Sequence, residues 1–326
     1  MRVTIKHIAE HLDLSVATVS RVLSKVDDPF ISDSTRARVT SKANELGYVP
    51  NRAARALVTG RTNTIELQLP PSDHFSSQIS KAMIDILRER DYDVVVHDLV
   101  PGPAIQGGIP VSRALWPADG IISMANGSVI DSFLESQAAN LVSIGAYFSE
   151  RVDYVGLDLY PGTLDGVRHL IATGCRRIAY LGDRNADFRN EARGIAYHQA
   201  MDEAGLQCEY ILGNDSTKLG AKRAVCEYIR QYGHPDGIFC HNDTRALGAL
   251  RGLCDIGMRV PDDVKLIGCD GIEDTEYVNP SISTIVTPID EMCELAWRFL
   301  QARMENPTAP KQQAMLRPAF VRRESC

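Results

Sequence analysis

From about residue 64 onward, short apolar runs alternate with amphipathic stretches along nearly all of the chain. This alternation constrains the fold more than any other feature. The runs at 65–69, 94–97, 120–123, 141–144, 154–157, 178–181, 237–240 and 265–268 have the length of buried strands. Helical spacing marks the stretches near 77–90, 130–138, 162–173, 190–204, 219–232, 244–256 and 291–303. Parallel strands need long crossovers, so repeated βα units imply parallel sheets with helices on both faces. A chain of 326 residues is too long for one small domain and long enough for a head plus a large α/β body.

The first sixty residues follow a different pattern. The Thr4 hydroxyl can cap a first helix, along which Ile5, Ile8, Ala9 and Leu12 recur at helical spacing. Asp13 stands in the turn, where a left-handed backbone is expected and Asp tolerates it better than most residues. Ser15 caps a second helix, whose apolar stripe is Val19, Val22 and Leu23. Val16, Ala17, Ser20 and Arg21 then face outward. A helix so decorated fits a DNA major groove, with Arg21 donating two bonds to guanine O6 and N7. Val16 and Ala17 offer only apolar contact. An ordinary α-hairpin with an exposed arginine would share the pattern. A third helix is expected over 34–45, capped by Ser32 or Ser34 and ended by Gly47.

The combination of Val3-Thr4-Ile5, Ile8-Ala9, Ser15, Thr18-Val19-Ser20-Arg21-Val22-Leu23, Leu46-Gly47-Tyr48, Pro50-Asn51 and Ala54 to Leu57 resembles the LacI/GalR family of transcription regulators. The resemblance implies Thr4, Ser15, Val16, Ala17, Thr18, Ser20 and Arg21 as DNA contacts of the head. It also implies a hinge helix that forms on operator DNA, with Asn51 as its cap, Ala54 allowing close contact and Leu57 as a wedge between base pairs. An apolar wedge unstacks one step and bends the duplex. So short a helix is marginal in water, so its folding should be coupled to binding. A plain basic linker is the alternative reading of 51–61. Leu12-Asp13-Leu14, His7 and Ser24 depart from the family's usual residues and leave the operator sequence open.

For the body the resemblance implies a periplasmic-binding-protein type I fold, two Rossmann-like lobes joined by three crossovers. The expected organisation is a helix-turn-helix domain at 1–48, a hinge at 49–62 and a two-lobed effector-binding and dimerisation domain at 63–326. The lobes should fall near 63–159 with a return at 290–320, and near 160–289. Motifs supporting it include Tyr154-Val155-Gly156-Leu157-Asp158, Arg193-Gly194, Asn242-Asp243 and Ile267-Gly268-Cys269-Asp270. Positions that line the cleft in relatives fall on Phe75, Arg193, Asn242 and Asp270, with Asp158 at the rim. Asp270 can accept two bonds from adjacent hydroxyls, and Arg193 can donate a fork of bonds. Each of these also has an ordinary structural reading, as a turn, a loop anchor or core. Where relatives often carry an aromatic that stacks on the ligand, this chain has Asp215, unless the alignment is shifted by one. Loss of that ring points to a sugar or polyol rather than a purine. Arg184 and Arg189 keep an acidic or phosphorylated effector as the alternative.

Charge is unevenly spread. The first 62 residues hold ten Lys or Arg against six Asp or Glu, a net +4, while the rest carries −11 of a total of −7. A basic head on an acidic body suits one end presented to phosphate. No apolar leader or long apolar run is present, so a cytoplasmic protein with no membrane contact is expected. Eight scattered cysteines without CxxC spacing should be reduced and mostly buried, with no metal. No GxGxxG, P-loop, GxSxG or HExxH pattern occurs, so neither enzyme activity nor a cofactor is expected. A pure solute-binding protein would need a signal peptide and no head. The expected partners are near-palindromic operator DNA, a small effector and a second copy of the chain. No heptad repeat follows the last body segment, which favours a dimer over a tail-assembled tetramer.

Overall fold

The computed structural model describes residues 3–24, 28–49, 56, 60–70, 74–99, 118–125, 130, 140–184 and 190–326. They divide into two compact units, Met1–Thr62 and Asn63–Cys326.

Among the described residues the smaller unit has the helices α1 (Ile5–Leu12), α2 (Val16–Leu23) and α3 (Asp33–Glu45). Ile8, Ala9, Val19, Val22, Val39 and Ala43 form its buried centre, one apolar stripe from each helix. Asp13 does adopt the left-handed conformation, with φ 52° and ψ 48°, and so turns the chain between α1 and α2. The Ser15 hydroxyl accepts the Thr18 N–H at 3.0 Å, and that of Ser32 accepts the Thr35 N–H at 3.3 Å. Ser32 is thus the cap of α3, which begins at Asp33. After α3, Gly47 turns at φ +63° and the Tyr48 N–H returns to the Ala43 carbonyl at 2.8 Å.

The larger unit contains two parallel sheets. The elements of the first half are β1 (Thr64–Leu69), α4 (His74–Arg88), β2 (Asp93–Asp98), β3 (Gly120–Ser123), β4 (Leu141–Gly145) and β5 (Asp153–Leu157). Then come α5 (Tyr160–Ala172), β6 (Ile178–Asp183), α6 (Ala192–Glu203), β7 (Glu209–Gly213), α7 (Lys218–Tyr232), β8 (Gly237–Cys240), α8 (Asp243–Asp255), β9 (Lys265–Ile267) and α9 (Asp274–Tyr277). The chain ends with β10 (Thr284–Val286), α10 (Ile289–Glu305), β11 (Gln313–Leu316) and β12 (Ala319–Val321). The first sheet has the order β11-β5-β4-β3-β1-β2, the second β7-β6-β8-β9, and β10 and β12 form an antiparallel ribbon.

Among the described residues three crossings join the lobes, from β5 to α5, from β10 to α10, and from β11 to β12. In the first lobe Ile65, Leu67 and Leu69 alternate onto the face covered by α4 and α10, packing with Met83, Leu87, Trp297 and Leu300. The second lobe has a core on each face of its sheet, one around Tyr180, Tyr197 and Phe239, the other around Ile238, Leu253 and Leu266. A buried ion pair from Arg303 to Asp153, at 2.9 and 2.8 Å, fixes the turn between α10 and β11.

Four strands escape the sequence reading: β7, β10, β11 and β12. The first is an edge strand that carries Glu209 and Tyr210, β11 is an exposed edge, and the ribbon strands have three residues each. None presents an apolar run longer than three residues. The helix expected at 130–138 lies outside the described residues, apart from Ile130. The terminal segment, which the sequence leaves unread, docks beside β9. There Leu266 N–H donates to the Ser325 carbonyl at 2.9 Å, and Ser325 Oγ to the Leu266 carbonyl. All eight cysteines are free; six are buried, Cys208 is half-buried and Cys254 is exposed.

Candidate functional site

The face of the head that α2 presents is built as the sequence suggests, with one addition. Val16, Ala17 and Arg21 are exposed, and Thr18 and Ser20 are half-buried. Ser15 Oγ and Thr18 Oγ1 lie 2.8 Å apart and share a bond. Thr4 caps α1 from an extended backbone, and its N–H donates to His7 Nδ1 at 3.3 Å. The addition is Asp28. Its Oδ2 accepts from Arg21 Nη1 at 2.9 Å, and its Oδ1 accepts the Phe30 N–H at 2.9 Å. Asn51, Ala54 and Leu57 lie outside the described residues.

In the body, the carboxyl ends of the second-lobe strands gather Asp183 from β6, Asp215 beyond β7, His241 and Asn242 beyond β8, and Asp270 beyond β9. Arg193 lies on the first turn of α6 and is 5% exposed. Its donors are taken by protein groups. Nε and Nη2 reach the Glu191 carboxylate at 3.2 and 2.9 Å, Nη1 the His241 carbonyl at 2.9 Å, and Nη2 also the Tyr147 hydroxyl at 3.0 Å.

Tyr147 belongs to the first lobe, in the turn between β4 and β5. Its hydroxyl donates to Glu191, so this contact spans the two lobes. His241 Nδ1 and the Tyr180 hydroxyl close the network around Glu191, at 3.0 and 3.3 Å. Burial resists ionisation of Glu191, but bonds from His241 and the charge of Arg193 prevail and hold its carboxyl well below the usual range. Burial, reinforced by Arg193, pushes His241 down to about 4. The Tyr147 ring is half exposed but its hydroxyl end is enclosed, and burial pushes it up to about 12.

A second contact between the lobes lies at the start of α4. His74 Nδ1 is 2.9 Å from Asp274, and its Nε2 is 3.1 Å from Lys218 Nζ. Next to it, Phe75 is half-buried against the first-lobe core.

The other expected residues have identifiable local tasks. Asn242 caps α8, its Oδ1 accepting the Arg245 N–H at 3.0 Å. Asp158 sits in the crossing from β5 to α5, its Oδ1 accepting the Tyr160 N–H at 3.2 Å. Asp215 Oδ1 accepts the Thr217 N–H at 2.8 Å and the Thr217 hydroxyl at 2.5 Å, starting α7. Asp270 holds φ 122°, a costly conformation for a residue with a side chain. Its backbone is clamped by Ile285 and Thr287, at 2.9 and 3.1 Å.

Asp243 supports that loop from below. It accepts from Thr284 Oγ1 at 2.6 Å and from the Gly271 and Ile272 N–H groups at 2.7 and 2.9 Å. Burial pushes its carboxyl up to about 6 against those bonds. Tyr147, Glu191 and His241 are the site residues that the sequence reading misses. Only Glu191 carried a signal, since a carboxylate two residues before an arginine at a helix start can return to it. Among the described residues no cluster of metal-ligating side chains occurs and no helix is long and apolar enough to cross a membrane.

A helix-turn-helix head ahead of a two-lobed α/β body, with polar groups gathered at the strand ends, defines a DNA-binding regulator with a solute-binding-protein-like body. Residues 4–51 match bacterial regulatory proteins of the lacI family, and residues 167–326 match a periplasmic binding protein-like domain. The transcriptional regulator RegA of Clostridium saccharobutylicum is 30% identical over 339 residues, covering 100% of this chain and 99% of that protein. The CelR–cellobiose complex is 26% identical with a TM-score of 0.66, and covers 100% of both chains. The Lac repressor bound to ONPG, 22% identical over 100% of both chains, shares the fold with a TM-score of 0.82. The chain belongs to the LacI family of bacterial transcription regulators.

Proposed function

We propose that this regulator is a repressor that binds a near-palindromic operator as a cytoplasmic homodimer, and that a neutral sugar or polyol bound between the lobes controls it without any catalysis. The head contacts DNA through Thr4, Ser15, Val16, Ala17, Thr18, Ser20 and Arg21, and the hinge through Asn51, Ala54 and Leu57. Asn242, Asp215, Asp270 and Phe75 contact the effector and Asp158 orders the rim, while Arg193, its donors held by Glu191, Tyr147 and the His241 carbonyl, backs the wall of the cleft.

The pairing of Arg193 with Glu191 carries the effector reading. The guanidinium charge is already neutralised by a buried carboxylate, and Asp270 adds a second acceptor. Ligand hydroxyls suit such a surface; an acid would meet carboxylates instead. The relative CelR was captured with cellobiose, in keeping with this class. Effector binding alters lobe closure, and by linkage operator binding changes effector affinity by the same factor.

Thermal unfolding against sugars, polyols, sugar acids, sugar phosphates and nucleobases tests this, repeated with Asp270→Ala. A ligand at about a hundred times its Kd adds roughly 2.7 kcal/mol. A neutral sugar should raise Tm in the wild type and not in the variant. A shift confined to acids or phosphates would overturn the ligand class. Separately, Leu57→Ala should weaken operator binding strongly and leave effector binding intact; unchanged operator affinity would remove the wedge.

A further inference from the structure

We propose that Asp28 is a specificity-determining positioning residue, which aims the Arg21 guanidinium at a guanine in each operator half-site. It rests on the reading of Arg21 as a base contact. Arg21 is a long side chain on an exposed helix face, 59% accessible, while the Asp28 side chain is 10% accessible. The aspartate is the fixed partner. Its Oδ1 accepts the Phe30 N–H, and its backbone carbonyl accepts Arg36 Nη2 at 2.9 Å, which ties it to α3. Its remaining oxygen holds Arg21 Nη1.

That bond uses one of five guanidinium donors. The Nε and Nη2 edge of the same plane stays available as a parallel pair of donors. Guanine alone offers two acceptors side by side in the major groove, O6 and N7, so a pre-aimed donor pair selects it. Fixing the side chain beforehand also removes rotamer freedom that binding would otherwise have to remove. The carboxylate lowers attraction to phosphate, so it shifts the head from affinity toward selectivity. Composition alone does not find Asp28, because an acidic residue seven positions after Arg21 is not on the same helix.

The test uses the full-length chain and an operator selected from a random DNA pool. Arg21→Ala should flatten preference at one position in each half-site and so identify it. If it flattens none, Arg21 is not a base reader and the proposal falls with that reading. Asp28→Asn should lower guanine preference at that same position about tenfold, with other positions unchanged and non-specific binding equal or stronger. Retained guanine preference with tighter binding to all sequences would mean that Asp28 only competes for Arg21, and would overturn the proposal. The double variant separates positioning from folding. In the Arg21→Ala background Asp28→Asn should no longer change base preference; an equal loss of binding there would assign Asp28 a purely structural role and overturn it as well.

Discussion

Glu191→Gln tests whether a largely enclosed carboxylate, 13% accessible, holds Arg193 in place. Arg193 is nearly inaccessible, and Glu191 accepts from two of its three nitrogens, at 3.2 and 2.9 Å. A glutamine fills the same space but has one acceptor oxygen. Its amide nitrogen must then face Arg193, His241 or the Tyr147 hydroxyl. One charge-assisted bond is lost, worth about 1.5–3 kcal/mol, and the guanidinium keeps an unbalanced charge. Breaking a buried pair by removing one partner costs about 3–5 kcal/mol in general. The retained amide bond places this variant near the lower end, at about 3 kcal/mol. In a unit of this size that corresponds to roughly 6–12 °C in Tm. Tyr147→Phe is the companion variant. It removes one bond from a half-exposed ring and should cost about 1 kcal/mol. Urea denaturation of both variants at pH 7.5, followed by tryptophan fluorescence and by circular dichroism, gives the two numbers. If Glu191→Gln lies within about 0.5 kcal/mol of wild type, a range usual for surface changes, the pair is not what fixes Arg193.

Three further outcomes are expected. His241 is neutral when folded and has its pKa pushed down to about 4 from 6.5, so the unfolded chain takes up its proton first; the stability it gives is complete above 6.5 and falls as pH drops toward 4. Relative to His241→Gln, the wild-type body should therefore lose about 3 kcal/mol between pH 7.5 and 4, and parallel denaturation profiles would refute this. Gly268→Ala would place a Cβ 2.0 Å from Asp243 Oδ1, displacing the carboxylate that supports the Asp270 loop. It should destabilise the body by about 3 kcal/mol or more in urea titration, whereas a wild-type midpoint would show that Asp243 can move freely. In the head, Asp13→Ala should cost about 1 kcal/mol at φ 52°, while Asp13→Gly should cost nothing measurable; melting of the head followed by circular dichroism distinguishes them, and equal losses would remove the left-handed turn as the cause.

Much of the fold was legible because strand and helix announced themselves by length and spacing. The runs at 120–123 and 237–240 are the strands observed, since both are buried on both faces and are apolar apart from Ser123. The head was legible for a different reason: Ser15, Asp13 and Gly47 act locally, through caps and left-handed turns that depend on a few neighbouring residues. The ribbon of β10 and β12 was not, because its partners are 33 to 37 residues apart and its strands are too short to show a period. The same limit applies to the cleft. Arg193, Asn242 and Asp270 could be placed at strand ends and helix starts from the motifs, but Tyr147 meets Arg193 across a separation of 46 residues. No local pattern marks a tyrosine in a turn as the group that will face a buried arginine in the other lobe.

The crowding of polar groups at the carboxyl ends of the second-lobe strands follows from the architecture. Each parallel strand must leave the sheet there and enter a helix, so backbone N–H groups of helix starts converge on one edge. Asn242 satisfies one such start and Asp215 helps to satisfy another. Their oxygens therefore serve the scaffold first, and what remains for a ligand is the amide of Asn242 and the second oxygen of Asp215. Asp270 carries backbone strain in addition: its φ of 122° is held by Asp243 beneath and by Ile285 and Thr287 beside it. Strain kept in place by a buried carboxylate and a paired strand is costly unless the side chain's direction matters. The strain ranks Asp270 above Asn242 and Asp215 as the proposed effector contact, and Asp270→Ala is the variant on which the ligand screen should turn.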